Sequence, residues 1–130
     1  MSGLMIGDIA VQRIIEEEVP FFIPHETFVE ATPEALAPHR HWLEPNAMDP
    51  ETGMLILPFQ SYLVRTKHHT ILIDTCIGCG KSITHRPQWF QRTDQTWLNN
   101  LRAAGLQPEA IDYVFCTHFH ADHCGLNTTF

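Results

Sequence analysis

Three imidazoles and a carboxylate fall within six residues, at His118, His120, Asp122 and His123, directly after the short apolar run Tyr113-Val114-Phe115-Cys116. This spacing places the polar groups in the turn after a strand. Alternate residues His118 and His120 can then point the same way while Phe119 turns into the core, and Asp122 and His123 close on the same space as the chain curls into a helix. Rings this close repel one another below about pH 6.5 unless a metal or a carboxylate holds them. Imidazole nitrogen with carboxylate oxygen suits zinc, iron or manganese better than calcium, which takes oxygen alone. The plain alternative is a set of solvated loop histidines.

The rest of the 130-residue chain limits what can surround that cluster. Its length fits one domain at most, and 44% hydrophobic residues suffice for a core without disulfide staples. Four cysteines, Cys76, Cys79, Cys116 and Cys124, are therefore expected as reduced thiols. Fifteen acidic residues against eight scattered basic ones give a formal charge of −7, which argues against nucleic acid or anionic lipid as partners. No apolar stretch approaches the roughly 18 residues of a membrane span, and the start MSGLMIGDIAV lacks the basic flank and apolar run of a secretory signal. A cytoplasmic chain with neither a membrane nor a nucleic-acid partner is expected.

Alternation predicts an edge strand over 6–15. Six of the nine prolines lie between Glu16 and Pro50, so this stretch should be mostly irregular, with one helical turn after Pro33. His39 and His41 lie there and read as surface residues, with no other ligand type nearby. Met54 to Phe59 and Ser61 to Thr66 read as two strand segments around a short break. Thr70 to Asp74 reads as a buried strand, with Lys67-His68-His69 as the hairpin tip before it. A helix is predicted over 94–104, capped by Asp94, buried along Trp97, Leu98, Leu101 and Ala104, and ended by Gly105. After a turn at Pro108, Tyr113 to Cys116 reads as a second buried strand. Strand, helix, strand defines an α/β layered domain.

The segment Thr117-His118-Phe119-His120-Ala121-Asp122-His123 reproduces the H-x-H-x-D-H motif of the metallo-β-lactamase-fold hydrolases. Ile71 to Thr75 and the run from Leu101 to Gly125 resemble that superfamily's preceding strand, helix, turn and metal loop, in order. The resemblance covers roughly Met54 to Asn127, and the proline-rich start is similar to one branch, the lactonase-like and organophosphate-hydrolase-like members. It implies an αββα sandwich of which residues 1–130 form the N-terminal part of a single domain. It implies a hydrolase that uses a metal-bound hydroxide on a small ester, lactone or phosphotriester. Two divalent metal ions are implied, zinc first, with iron or manganese as alternatives. His118 and His120 would hold one ion and Asp122 and His123 the other. Asp122 would also serve as the catalytic proton acceptor, and Asp74 as a carboxylate that orients the metal loop. The family's remaining ligands lie well downstream of this motif. The isolated chain is therefore expected to be a fragment without hydrolase activity, with a non-catalytic metal-binding or pairing fragment as the alternative. A small-molecule substrate follows from the same likeness, and a homo-oligomer is compatible with it.

Two further patterns overlap after the Thr70 to Asp74 strand. Thr75 to Ser82 nearly matches a phosphate-binding loop, but Thr75 stands where the first glycine belongs, and Pro87 would interrupt the required helix. Cys76 and Cys79 have the C-x-x-C spacing of a redox pair or half a zinc knuckle. Gly78 and Gly80 argue for a loop and for two reduced thiols.

Overall fold

Two long extended runs, of 14 and 11 residues, and three short, mostly apolar ones pair as one sheet. The computed structural model describes residues 3–128. Its contacts divide the chain into two units, one formed by Met1–Glu17 with Phe59–Phe130 and the other by Glu18–Pro58. One sheet runs in the order β1 (Leu4–Ile6), β2 (Ile9–Phe22), β3 (Leu55–Arg65), β4 (Thr70–Ile73) and β5 (Tyr113–Phe115). β1 and β2 are antiparallel, with Ile6 opposite Ile9 across a two-residue turn. Gly7 takes the positive φ of 59° at the first turn position, as a tight hairpin requires. β3 and β4 are antiparallel from Tyr62–Ile73 to Arg65–Thr70, so Lys67, His68 and His69 do form the hairpin tip. β4 and β5 are parallel, with Ile71 opposite Tyr113 and Ile73 opposite Phe115.

Several expectations need correction. The predicted edge strand at 6–15 is two strands, and β2 continues through Pro20 to Phe22 where an irregular segment was expected. Pro20 lies beyond residues 9–11, the stretch that pairs with β1. The two segments expected within Met54 to Thr66 are one continuous strand, β3 (Leu55–Arg65), with no break. Pro58 lies in it at a point that the β4 register, confined to Tyr62–Arg65, does not reach. Tyr113 to Phe115 is a strand but is not buried: its residues are 56%, 49% and 62% exposed. Among the described residues it has a partner on one edge only, so the apolar run that reads as a core strand stands at the margin of the sheet.

The Glu18–Pro58 unit is more helical than its prolines suggested. It holds α1 (Pro24–Thr27), α2 (Pro33–Leu36), a 3-10 turn at Ala37–His39 and α3 (Arg40–Leu43). The turn predicted after Pro33 is α2, and its N-cap Thr32 accepts a hydrogen bond from Ala35 N at 3.3 Å. His39 and His41 are exposed, as expected.

In the larger unit the core consists of Ile14, Leu63, Leu72, Cys76, Trp97 and Leu101. Helix α4 (Thr96–Ala103) supplies Trp97 and Leu101, with Leu98 and Ala104 packed beside them, the face that the sequence periodicity predicted. Asp94 Oδ1 accepts hydrogen bonds from Thr96 N at 2.8 Å and Thr96 Oγ1 at 2.6 Å, satisfying an amide of the first turn from one position ahead of the cap residue Gln95. At the other end Gly105 has φ 81°, and Arg65 donates to Ala104 O at 2.7 Å. Trp97 Nε1 donates to Ser61 Oγ at 2.8 Å, and that hydroxyl lies 3.3 Å from Cys76 Sγ, so the buried polar atoms of the core are paired. Among the described residues no helix is long and apolar enough to cross a membrane.

Leu101 is fully buried, so Leu101→Ala should cost about 2–5 kcal/mol through lost burial and the cavity left behind. Val29→Ala, at a position 85% exposed, should stay within about 0.5 kcal/mol of the parent. Urea unfolding followed by circular dichroism measures both.

Candidate metal centre

The site is built where β4 and β5 end side by side. After Ile73 the chain turns sharply, with positive φ at Asp74 (61°), Cys76 (56°) and Gly78 (75°). Aspartate tolerates this region, whereas Cys76 is held there at a cost of order 1–3 kcal/mol, which the surrounding contacts must impose. The turn aims the buried Asp74 carboxylate at the segment leaving β5. Asp74 Oδ1 accepts Thr117 N at 2.8 Å, and Thr117 Oγ1 lies 2.9 Å from Oδ2. Asp74 Oδ2 also lies 2.8 Å from His123 Nδ1. Burial works to raise the Asp74 pKa. The hydrogen bonds from His123 and Thr117 outweigh it and hold the carboxyl below its ordinary value. An ionised Asp74 takes the proton of His123 Nδ1 as a donor and leaves Nε2 as the free, basic nitrogen.

The expected ligands follow. His120 is the N-cap of α5 (Ala121–Cys124), whose single turn brings His123 N to His120 O at 3.0 Å. His118 Nε2 lies 3.1 Å from His120 Nδ1, and the His118 and His123 ring centres are 3.9 Å apart. His123 Nε2 lies 3.3 Å from Asp122 Oδ2. All four predicted residues therefore sit together on one face of the loop and α5. Phe119 does not turn into the core as expected: it is 87% exposed, because the strand ends at Phe115 and the loop leaves the sheet before residue 119.

As arranged, the side chains touch one another, and among the described residues no three of His, Cys, Asp or Glu converge as a ready coordination site. The donor set nonetheless fits an ion of the zinc class, with three imidazoles, one carboxylate among them and a second carboxylate fixing the tautomer of His123. His118 and His120 are exposed, so turning their rings toward a common ion costs little.

Sequence reasoning missed the residues that seat α5. Thr75 N donates to His123 O at 2.8 Å, Leu126 N donates to Thr75 Oγ1 at 3.1 Å, and Gly125 N donates to Cys76 O at 2.8 Å. Thr75 Oγ1 and Asn127 Oδ1 are 2.9 Å apart. A Cβ on Gly125 would lie 1.9 Å from Ile77 O, so α5 rests directly on the backbone of the turn. Glu16 was also missed: its buried carboxylate accepts Ile77 N at 2.9 Å and Gly78 N at 2.8 Å. Alternation offered one signal, since Glu16 shares a strand face with the fully buried Ile14.

The rival patterns fare less well. The amides that a phosphate loop would present are taken by Glu16, and only a 3-10 turn at Pro87–Trp89 follows Ser82. The four cysteines are free, and burial pushes the Cys76 thiol far above the range of a redox nucleophile.

With the geometry in place, comparison with known proteins is direct. The family model of the metallo-beta-lactamase superfamily matches residues 58–130, and the chain belongs to that superfamily. It is similar to an N-acyl homoserine lactonase of Bacillus cereus, 30% identical over 90 residues, which cover 60% of this chain and 35% of the lactonase. It is also similar to the solved structure of a probable metal-dependent hydrolase from Staphylococcus aureus, with a TM-score of 0.68, 25% identity and coverage of 94% of this chain and 42% of that one. AidC, a dizinc quorum-quenching lactonase solved with its product N-hexnoyl-L-homoserine, shares the fold at a TM-score of 0.66 and 19% identity, covering 95% of this chain and 37% of that one. The chain spans 35% of the length of the curated relative and 42% of the solved hydrolase.

Gly125→Ala should detach α5 from the turn and destabilise the chain by about 1–3 kcal/mol or more, the cost of forcing an atom into a closed contact. Loss of hydrogen-exchange protection at the Leu126 amide is the measurement.

Proposed function

We propose that this chain is the N-terminal part of a single metallo-β-lactamase-type domain belonging to a metal-dependent hydrolase, with a small lactone or ester as substrate and a phosphotriester as second choice. The observation that carries the reading is the contact of Asp74 with both Thr117 N and His123 Nδ1, because it fixes the metal loop and the histidine tautomer a ligand needs. Similarity to a named lactonase and to a metal-dependent hydrolase supports the substrate class and the metal.

In this reading His118 and His120 hold one divalent ion and Asp122 and His123 a second, with zinc favoured by the imidazole-rich donors. When bound, such ions supply Lewis acidity and lower the pKa of water toward about 7. The chain's own groups do the rest. Asp74 keeps the proton on His123 Nδ1 so that Nε2 faces Asp122, 3.3 Å away. Asp122 is placed to take the proton of the attacking water. Exposed His118 and His120 line the open side of the loop, where a small electrophile can approach. A cytoplasmic location is part of the same proposal, supported by four unpaired thiols.

Zinc titration of the chain by calorimetry tests the ligand assignment. His118→Ala and His120→Ala should each weaken binding strongly, and unchanged zinc affinity in both would overturn it. Asp74→Asn should keep the fold and weaken zinc binding by roughly 10–100-fold. The 130-residue chain itself should show negligible turnover of lactones and phosphotriesters with excess zinc, since these four ligands alone leave an ion loosely placed, and ~1 Å of misplacement costs about 100-fold in rate. Turnover near that of the relatives would contradict this.

A further inference from the structure

Glu16 is a buried carboxylate that the chemistry above does not use. It lies on β2, only 6% exposed, and each of its oxygens accepts one main-chain N–H, Ile77 at 2.9 Å and Gly78 at 2.8 Å. Those amides belong to the glycine-containing loop that resembles a phosphate-binding loop in sequence. Left-handed residues at Cys76 and Gly78 turn successive N–H groups to one side, which makes a concavity with affinity for anions. The anion it holds is a side chain of the same molecule. Burial opposes the charge on Glu16 and raises its pKa, while the two amides and nearby Arg92 work in the other direction.

The opposite side of this loop is the seat of α5. Cys76 O accepts Gly125 N, Thr75 Oγ1 accepts Leu126 N, and Thr75 N donates to His123 O. The backbone of Ile77 leaves no room for a Cβ at Gly125, and Gly78 has none to spare for Leu126, whose Cγ would lie 2.6 Å from an added Cβ. The loop is thus held between the Glu16 carboxylate on one side and the turn carrying Asp122 and His123 on the other.

We infer that Glu16 is a positioning residue for the metal loop: its carboxylate seats the 76–78 turn, that turn seats α5, and a small free carboxylate such as formate can occupy the nest when the side chain is removed. This rests on the proposed metal-binding role of Asp122 and His123. Placement at one remove from the ligands distinguishes Glu16 from Asp74, which touches His123 itself.

The test uses Glu16→Ala and Glu16→Gln in the 130-residue chain, read by amide hydrogen exchange and zinc affinity, with formate added and with chloride at the same ionic strength as control. Glu16→Ala should lose protection at the Ile77, Gly78, Gly125 and Leu126 amides while the Leu72 amide of β4 stays protected. Its zinc affinity should fall about tenfold, the scale of an outer-shell defect. Formate should restore both readouts and chloride neither. Glu16→Gln preserves volume and one acceptor, and should show a smaller loss of both. Intact Gly125 and Leu126 protection with wild-type zinc affinity in a folded Glu16→Ala would overturn the proposal, as would failure of formate to restore either readout. Should Glu16→Ala not fold, folding in formate supports the proposal and continued unfolding overturns it. Absence of zinc binding by the parent chain would instead defeat the metal assignment, and the amide protection with its formate response would still decide the role of Glu16.

Discussion

Everything at the site depends on one buried carboxylate at the end of β4. Burying a charge is costly without partners, and Asp74 has three: the Thr117 amide, the Thr117 hydroxyl and the His123 ring. Those partners come from the loop after β5 and from α5, so the parallel pairing of β4 with β5 and the left-handed turn at Asp74 together bring the charge to groups that satisfy it. The same contacts then dictate which nitrogen of His123 is available. A single electrostatic requirement thereby links strand register to ring tautomer.

Around that contact glycine and main-chain contacts meet the apolar core, to which Cys76 belongs and against which Leu126 packs. The turn after β4 meets the end of α5 backbone to backbone at Gly125, and Gly78 leaves room for the Leu126 side chain. A helix of four residues has little stability of its own, since the first turn of any helix is its most costly part. Its position is therefore borrowed from the turn, and the turn's position from Glu16 and the core beneath it. The strain at Cys76 fits this arrangement: the residue is fully buried, bonded to Ser61, and held in a conformation its side chain disfavours because the amides after it are needed elsewhere.

Much of this was legible in the sequence. The four clustered polar residues, the helix face along Trp97, Leu98, Leu101 and Ala104, and the hairpin tip at Lys67 to His69 follow from spacing and periodicity. What was not legible depends on neighbours that a local pattern does not contain. Tyr113 to Phe115 reads as buried because apolar runs usually are, and only its place at the margin of the sheet makes it exposed. Pro20 reads as part of an irregular stretch, and the strand through Pro58 reads as two segments parted at Gln60, because the extent of the adjacent ladder is invisible in the residues themselves. Glu16 lies 61 positions from the amide it binds, and nothing local announces that pairing beyond its sharing a face with Ile14.

The hydrogen-bonded series Trp97, Ser61, Cys76 has an optical consequence. Trp97 is 4% exposed, its indole N–H ends on the Ser61 hydroxyl, and that hydroxyl touches the thiol of the turn residue that carries the strain. Indole emission responds to the polarity and hydrogen bonding of the ring nitrogen, and a nearby sulfur quenches it. Trp42, 60% exposed, emits from solvent and is separable by its red-shifted band. Trp89 is buried as well, 6% exposed, so with Trp89→Phe in place Trp97 is the fluorophore beneath the turn, and a change in how Cys76 is seated would register as a change in its blue-edge emission without any label being attached.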